Sequence, residues 1–424
     1  MNRRVKLKEV CREVTVGHVG PMADEYVDDG IPFLRSQNIL PFRLDDSNLK
    51  FISETFHKKL KKSALSPGDV VVVRTGYPGT ACVIPRRIPV ANCADLVVIR
   101  PSEEIDCHFL CCLFNSAWGR GTVAGSLVGV AQQHFNIGVA KEMEVMLPPI
   151  GTQRRIGSIL SAYDDLIENN TRRIKVLEEM ARMLYREWFV YFRSPGHEKA
   201  RMVASELGPI PQGWSVQPVE ALTSLVTKGT TPTTLGRLFQ ESGVNFIKVE
   251  SISESGAILI NKLAKIDTET HEMLKRSQLR QNDILFSIAG AIGRVALVPI
   301  RVLPANTNQA LAILRCSDPI LVTYLLSTVR SANFQNFSLG RVVQTAQANV
   351  SLSILKSAPV LLPPPTLLMK FREAVEPILA LVEVLSSKIE NLRATRDLLL
   401  PKLISGEIPV EAADDAAERA EQIA

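Results

Sequence analysis

No stretch of this sequence approaches the roughly 18 uninterrupted apolar residues that a membrane-crossing helix needs. The basic opening Met1-Asn2-Arg3-Arg4-Val5-Lys6 has no apolar segment behind it and does not read as a secretory leader. The seven cysteines are odd in number and lack a secreted-domain spacing, which points to free thiols in a reducing compartment, the cytoplasm. Their one cluster, Cys107-His108 with Cys111-Cys112, lies in the apolar run Phe109 to Phe114 and reads as a buried helix rather than a metal site. There is no G-x-x-x-x-G-K-[ST] phosphate loop. The Pro-Pro pairs follow Leu147 and Leu362, where an adenine methyltransferase would place Asp or Asn. Trp118-Gly119-Arg120-Gly121 has two glycines but no strand before it, so it is a weak cofactor signal. The six histidines are scattered, and no carboxylate pair stands beside a basic residue in nuclease spacing. These absences argue against a catalytic centre, a bound metal or a bound cofactor.

What is present is an ordinary globular composition, 46% hydrophobic and 22% charged, in a chain of 424 residues that can build two or three cores. A net charge of +5 admits a nucleic-acid partner without demanding one. The strongest signal is an internal repeat. An offset of 215 residues carries Pro148-Pro149 onto Pro363-Pro364, and the apolar positions that follow coincide without a gap, Ile156 with Phe371, Ile174 with Ile389 and Trp188 with Leu403 among them. In the first copy the positions 163, 167, 170, 174, 177, 181, 184 and 188 step by alternating threes and fours, a heptad seam. Two such helices in one chain most simply pack antiparallel. Asn170 and Arg396 interrupt the seam and fix register, and Pro377 marks a helix start or a kink.

The segments before each helix match more loosely. Pro67-Gly68-Asp69 and Gln281-Asn282-Asp283 each make a turn into a buried strand, followed by glycine-bearing turns at 74–79 and 288–294. The scaffold repeats while the polar loop residues differ, as expected of two copies of one α+β fold reading two different things.

Tyr163-Asp164-Asp165-Leu166-Ile167-Glu168-Asn169-Asn170 with Tyr185-Arg186-Glu187-Trp188-Phe189 resembles the central helix of type I restriction-modification specificity subunits. Leu207-Gly208-Pro209-Ile210-Pro211 resembles the opening of their second recognition domain, and Arg396-Asp397-Leu398-Leu399-Leu400-Pro401-Lys402-Leu403 their C-terminal helix end. The resemblance covers almost the whole chain and implies a non-catalytic subunit. Two pseudo-symmetric recognition domains would each read half of a bipartite, asymmetric double-stranded DNA site, while an antiparallel helix pair sets the unread gap. Two methyltransferase subunits would dock on the helices, and motor-nuclease subunits would join them. S-adenosylmethionine, ATP and magnesium would then sit on those partners. The implied division is residues 1–149, recognition domain; 150–193, spacer helix; 194–213, linker; 214–364, recognition domain; 365–408, second spacer helix; and 409–424, acidic tail.

Base readout needs Arg, Asn or Gln on loops, with lysines nearby for phosphates. In the first module the candidates are Arg35, Gln37, Arg74, Tyr77, Gln132, Gln133 and His134, with Lys58, Lys59, Lys61 and Lys62 as a phosphate stripe. In the second they are Lys248, Arg294, Arg341, Gln344 and Gln347. For partner docking the candidates are Tyr163, Ile167, Arg172, Leu177, Trp188, Leu392 and Leu399. Asn92, Asn136, Asn306 and Asn349 recur in both halves and are expected to hold loops rather than read bases. The alternatives are a helical scaffold that joins proteins without touching DNA, and a methyltransferase or nuclease of unfamiliar layout.

Overall fold

Val70-Val71-Val72-Val73 is a strand buried on both faces, because successive side chains point to opposite sides of a sheet and each side meets its own core. Val70 and Val72 join one apolar cluster, Val71 and Val73 another. The same division recurs at Ile284–Ser287, where Ile284 and Phe286 face one cluster and Leu285 the other. A computed structural model describes residues 3–126, 134–341 and 349–410. The chain divides into two units, Met1–Arg172 with Ser387–Ala424, and Arg173–Ser386.

In the first unit, an antiparallel sheet runs in the order Ala81–Val83, Val70–Val73, Leu96–Pro101, Cys11–Val16. A second sheet pairs Ile31–Leu34 parallel to Ala91–Cys93 and antiparallel to Lys50–Ile52. Arg3–Lys6 pairs with Glu144–Leu147 and closes the module. The second unit repeats this wiring. Its four-stranded sheet runs Val295–Leu297, Ile284–Ser287, Leu311–Cys316, Thr223–Lys228. Val244–Ile247 pairs parallel to Ala305–Thr307 and antiparallel to Ala264–Ile266, and Ser215–Pro218 pairs with Pro359–Leu362. The turns entering the matching central strands share a left-handed residue, Gly68 at φ 90° and Asn282 at φ 68°. These are the residue types that tolerate that region.

Two long helices, Ile150–Tyr185 and Pro365–Ser405, each contribute to both units. At 36 and 41 residues, they measure about 54 and 62 Å. In the first unit, Ile156, Leu160 and Tyr163 share a core with Leu400 and Leu403. In the second, Tyr185 and Phe189 pack on Phe371, with ring centroids of Phe189 and Phe371 4.8 Å apart. The start of one helix thus meets the end of the other in each unit, which makes the pair antiparallel. The second helix begins at Pro365, so Pro377 lies inside it rather than at its start. The first ends in a π-turn, Arg186–Val190.

Gln153 is buried and locks the first helix to its module, with its side-chain amide donating to the carbonyls of Pro148 (2.9 Å) and Glu104 (3.1 Å). Farther along, Arg396 donates to Asp164 at 2.5 Å. Burial pushes the Asp164 carboxyl up to about 6 against the opposing pull of Arg396. An acid raised in the folded state stabilises fully only below its unfolded value, and the contribution is lost as pH rises through the folded one. The chain should therefore lose on the order of 1 kcal/mol between pH 5 and pH 7.5 through this group. Denaturant midpoints at the two pH values check this, and Asp164→Asn should remove that share of the difference.

The apolar run at 109–114 is a helix, Cys107–Asn115, with Cys111 and Cys112 buried in the first core. Trp118 to Gly121 lie in the next helix, Ala117–Gly125, where Gly119 packs so closely that a Cβ would sit 2.2 Å from the Leu113 carbonyl. Among the described residues, no helix is long and apolar enough to cross a membrane.

Candidate nucleic-acid interface

The loops that join these strands have a shared frame and unshared tips. In each module a 3₁₀ turn follows the parallel strand, Ser36–Asn38 or Val249–Ser251. It is closed by the Arg35 amide donating to Asn38 Oδ1 (3.0 Å) or the Lys248 amide donating to Ser251 Oγ (3.2 Å). The exposed middle residue is Gln37 in one module and Glu250 in the other. The hairpin after the central strand carries left-handed glycines at matching places, Gly76 and Gly79, Gly290 and Gly293. Between the glycines stand Tyr77-Pro78 in the first module, with Tyr77 85% exposed, and Ala291-Ile292 in the second.

The structure ties up several sequence-derived candidates within the chain. Arg74 donates to the Phe135 carbonyl at 3.0 Å and pairs with Asp95, so its guanidinium holds the hairpin to the 134–136 segment. Thr75 and His134 are linked at 2.7 Å beside it. Arg35 donates to the Asn48 carbonyl (2.8 Å), and Arg294 donates to the carbonyls of Ile252 (2.8 Å) and Val249 (3.4 Å). Lys248 lies over the Phe239 ring, 4.2 Å from its centroid. Arg341 covers Phe337 and bonds its carbonyl, yet stays exposed. Gln37 and Tyr77 project into solvent. Gln132, Gln133, Gln344 and Gln347 lie outside the described residues, as does the tail from Glu411.

The recurring asparagines divide. Asn92 and Asn306 are fully buried, and each donates to a backbone carbonyl, Leu60 or Leu274, at 3.1 Å. Asn136 caps the helix Ile137–Glu142, accepting from the Val139 amide at 2.9 Å. Asn349 has a different place. The matching cap is Ser351, which accepts from Ile354 at the start of Leu352–Ser357, while Asn349 pairs as a bridge with Ala289.

Lys58, Lys59, Lys61 and Lys62 are all exposed, on the helix Glu54–Lys59 and the 3₁₀ turn Lys61–Ser63. The second module's turn, Lys275–Ser277, also opens with two exposed cations, Lys275 and Arg276. The 214-residue offset that pairs Asn92 with Asn306 pairs these cations as well, and was the sequence signal for them.

The docking candidates mostly face the chain's own interior. Tyr163 and Ile167 are buried, Leu392 and Leu399 pack on the first core, and Trp188 on the second. Leu177 is half-buried, while Arg172 is exposed and paired with Glu168 four residues earlier. A heptad seam is consumed by the partner helix of the same chain. On the first long helix, Val176, Met180 and Met183 are outward apolar residues spaced along one face, and the second carries Met369, Leu381, Val384 and Leu398 exposed.

The thiols are poor nucleophiles: burial pushes Cys11, Cys82 and Cys316 up to about 12 and Cys107 to about 11.

A family model described as the type I restriction modification DNA specificity domain matches residues 3–179 and again 211–366. The chain is similar to the type I restriction enzyme MjaIX specificity subunit of Methanocaldococcus jannaschii, 26% identical over 283 residues, 64% of this chain and 62% of that protein. It is similar to the type I restriction enzyme HindI specificity subunit of Haemophilus influenzae, 25% identical over 325 residues, 63% of this chain and 69% of that protein. Among solved structures, the type I restriction-modification system S subunit from M. genitalium shares the fold, with a TM-score of 0.58 over 95% of this chain and 96% of that one at 12% identity.

Proposed function

The chain belongs to the family of type I restriction modification DNA specificity domains and carries that domain twice; from that premise we propose that it reads a bipartite DNA site, one half per module, without performing chemistry itself. The observation that carries this reading is the doubled scaffold with unlike tips. Buried strands, turns and hydrogen bonds recur in both modules, whereas loop positions do not: exposed Gln37 matches exposed Glu250, and exposed Tyr77 matches the partly buried Ala291. Residues that differ on a common frame are suited to discriminate, since bases are read by side chains and the frame is set by the backbone. Arg74, Arg294 and Arg35 hold the loops, and Gln37 and Tyr77 are left to meet base edges. Exposed aromatic rings serve such contacts by packing on thymine methyls or unstacked steps.

Methyl transfer, strand cleavage and ATP use belong to partner subunits in this account, two methyltransferases and a motor-nuclease. These partners hold S-adenosylmethionine, magnesium and ATP. The methyltransferases dock on the outward helix faces, Val176, Met180 and Met183 included, and the assembly works on the nucleoid in the cytoplasm. The test uses labelled S-adenosylmethionine and duplex DNA. The chain alone is expected to transfer no label, and the chain with its methyltransferase subunits to label one bipartite sequence. Transfer by the chain alone would make it an enzyme, and absence of any salt-dependent retention on DNA would make it a protein scaffold.

A further inference from the structure

Two short pieces of this chain, 53–63 and 267–277, are built alike. Each begins with a capping side chain, Ser53 accepting from the Phe56 amide (3.1 Å) or Asp267 from Thr270 (2.7 Å). A six-residue helix follows, Glu54–Lys59 or Thr268–Met273, then Leu60 or Leu274 in matching backbone conformations, and then a 3₁₀ turn. The leucine carbonyl accepts from two buried side chains. In the first module these are Asn92 (3.1 Å) and Ser63 (3.3 Å), and in the second Asn306 (3.1 Å) and Ser277 (3.1 Å). The asparagine side chain also meets an imidazole in each, Asn92 through its Nδ2 at His57 Nδ1 (3.2 Å) and Asn306 through its Oδ1 at His271 Nδ1. Asn92 and Asn306 are 0% exposed, so these polar groups come from two separate parts of each module to fix one turn. Burying an asparagine stabilises only where its bonds are made, which makes the turn rigid.

The exposed chemistry that recurs on this mount is a pair of adjacent cations, Lys61-Lys62 and Lys275-Arg276. Among the described residues, none of the four has a carboxylate within ion-pairing distance. The neighbouring positions do not recur: Lys58 and Lys59 correspond to Glu272 and Met273. Arg276 also reaches Thr230 Oγ1 at 3.5 Å, on the loop that follows the edge strand Thr223–Lys228. A contact shared by modules that read different bases carries no sequence information, and the partner common to every base pair is the phosphodiester backbone.

From this we infer that Lys61-Lys62 and Lys275-Arg276 are equivalent phosphate anchors, one per half-site, which set each module's register on DNA while the unlike tips read bases. The inference rests on the DNA-reading function and splits the basic stripe of the first module: the turn pair is the anchor, and Lys58 and Lys59 belong to that module alone. The anchors bind nucleic-acid phosphate of any sequence.

The test measures DNA affinity against salt concentration for the chain assembled with its methyltransferase subunits. Cognate duplex and scrambled duplex are the two probes. Lys61→Ala/Lys62→Ala and Lys275→Ala/Arg276→Ala are each expected to flatten the logarithmic salt slope by about 1.8, and the combined variant by about twice that. Between 50 and 200 mM salt the gap between wild type and either double variant then narrows about 12-fold. Cognate and scrambled duplex weaken by the same factor, and the methylated sequence is unchanged. All four residues are exposed, so unfolding midpoints should match wild type. A salt slope equal to wild type in either double variant overturns the inference, as does a changed methylated sequence, or impaired subunit assembly with the slope intact. A wild-type complex with no salt-dependent affinity for either duplex would instead overturn the DNA-reading function on which the inference stands.

Discussion

Exchanging residues 1–147 for the equivalent segment of another family member is expected to replace one half of the methylated sequence and leave the other half as it was. The boundary suits such an exchange. The module's last strand, Glu144–Leu147, pairs with its first, Arg3–Lys6, so the segment carries both ends of its own sheet. What the donor must preserve is the seat of the long helix. Phe109, Leu110 and Leu113 share a core with Ile156 and Leu160, and the carbonyl of Glu104 accepts from Gln153. With each mismatched base pair costing about 1–3 kcal/mol, roughly three altered positions change preference by more than about a hundredfold, and methylation moves to the new half-site almost completely. Sequencing of methylated adenines reads the result. New bases in both halves, or in neither, would contradict the modular account.

The second large effect concerns the helices. Four residues inserted into each, within 170–177 and within 382–389, lengthen the pair by about 6 Å, the span of one to two base-pair steps. These windows contain the points where the chain passes between its two units, so neither core is opened. Four residues are also about one helical turn, an insertion that heptad seams absorb by local unwinding. The expected outcome is a longer unread gap between unchanged half-sites. Inserting into one helix alone should abolish methylation, because Arg396 with Asp164 and Tyr185 with Phe371 then cannot both stay in register. An unchanged gap after the double insertion would refute the spacer role.

The heptad steps from 163 to 188 and the gapless offset of 215 residues made the helix pair legible, because packing along a helix imposes a strict period. Val70–Val73 and Ile284–Ser287 were legible as buried strands for the same kind of reason. The loops were not. Arginine at position 74 looks identical in sequence whether it reads a base or holds a hairpin, and its partners Asp95 and Phe135 are 21 and 61 residues away. Most of the docking candidates lie on the inward face because an amphipathic stripe marks the face that is buried without saying against what; here Tyr163, Leu392, Leu399 and Trp188 pack within the chain's own cores. Asn349 was matched to Asn136 by identity, although the capping role had moved two residues on, to Ser351. Lys275 and Arg276 were readable from the offset, but only the buried Asn306 and Ser277 beneath them show why the match matters.

The most direct measurement is a map of methylated adenines across the genome of cells with and without this chain, their methyltransferase subunits left in place. The account predicts that one sequence loses its methylation, two short unlike half-sites separated by a fixed run of unspecified bases. An unchanged map, or the loss of a single uninterrupted sequence, would contradict it.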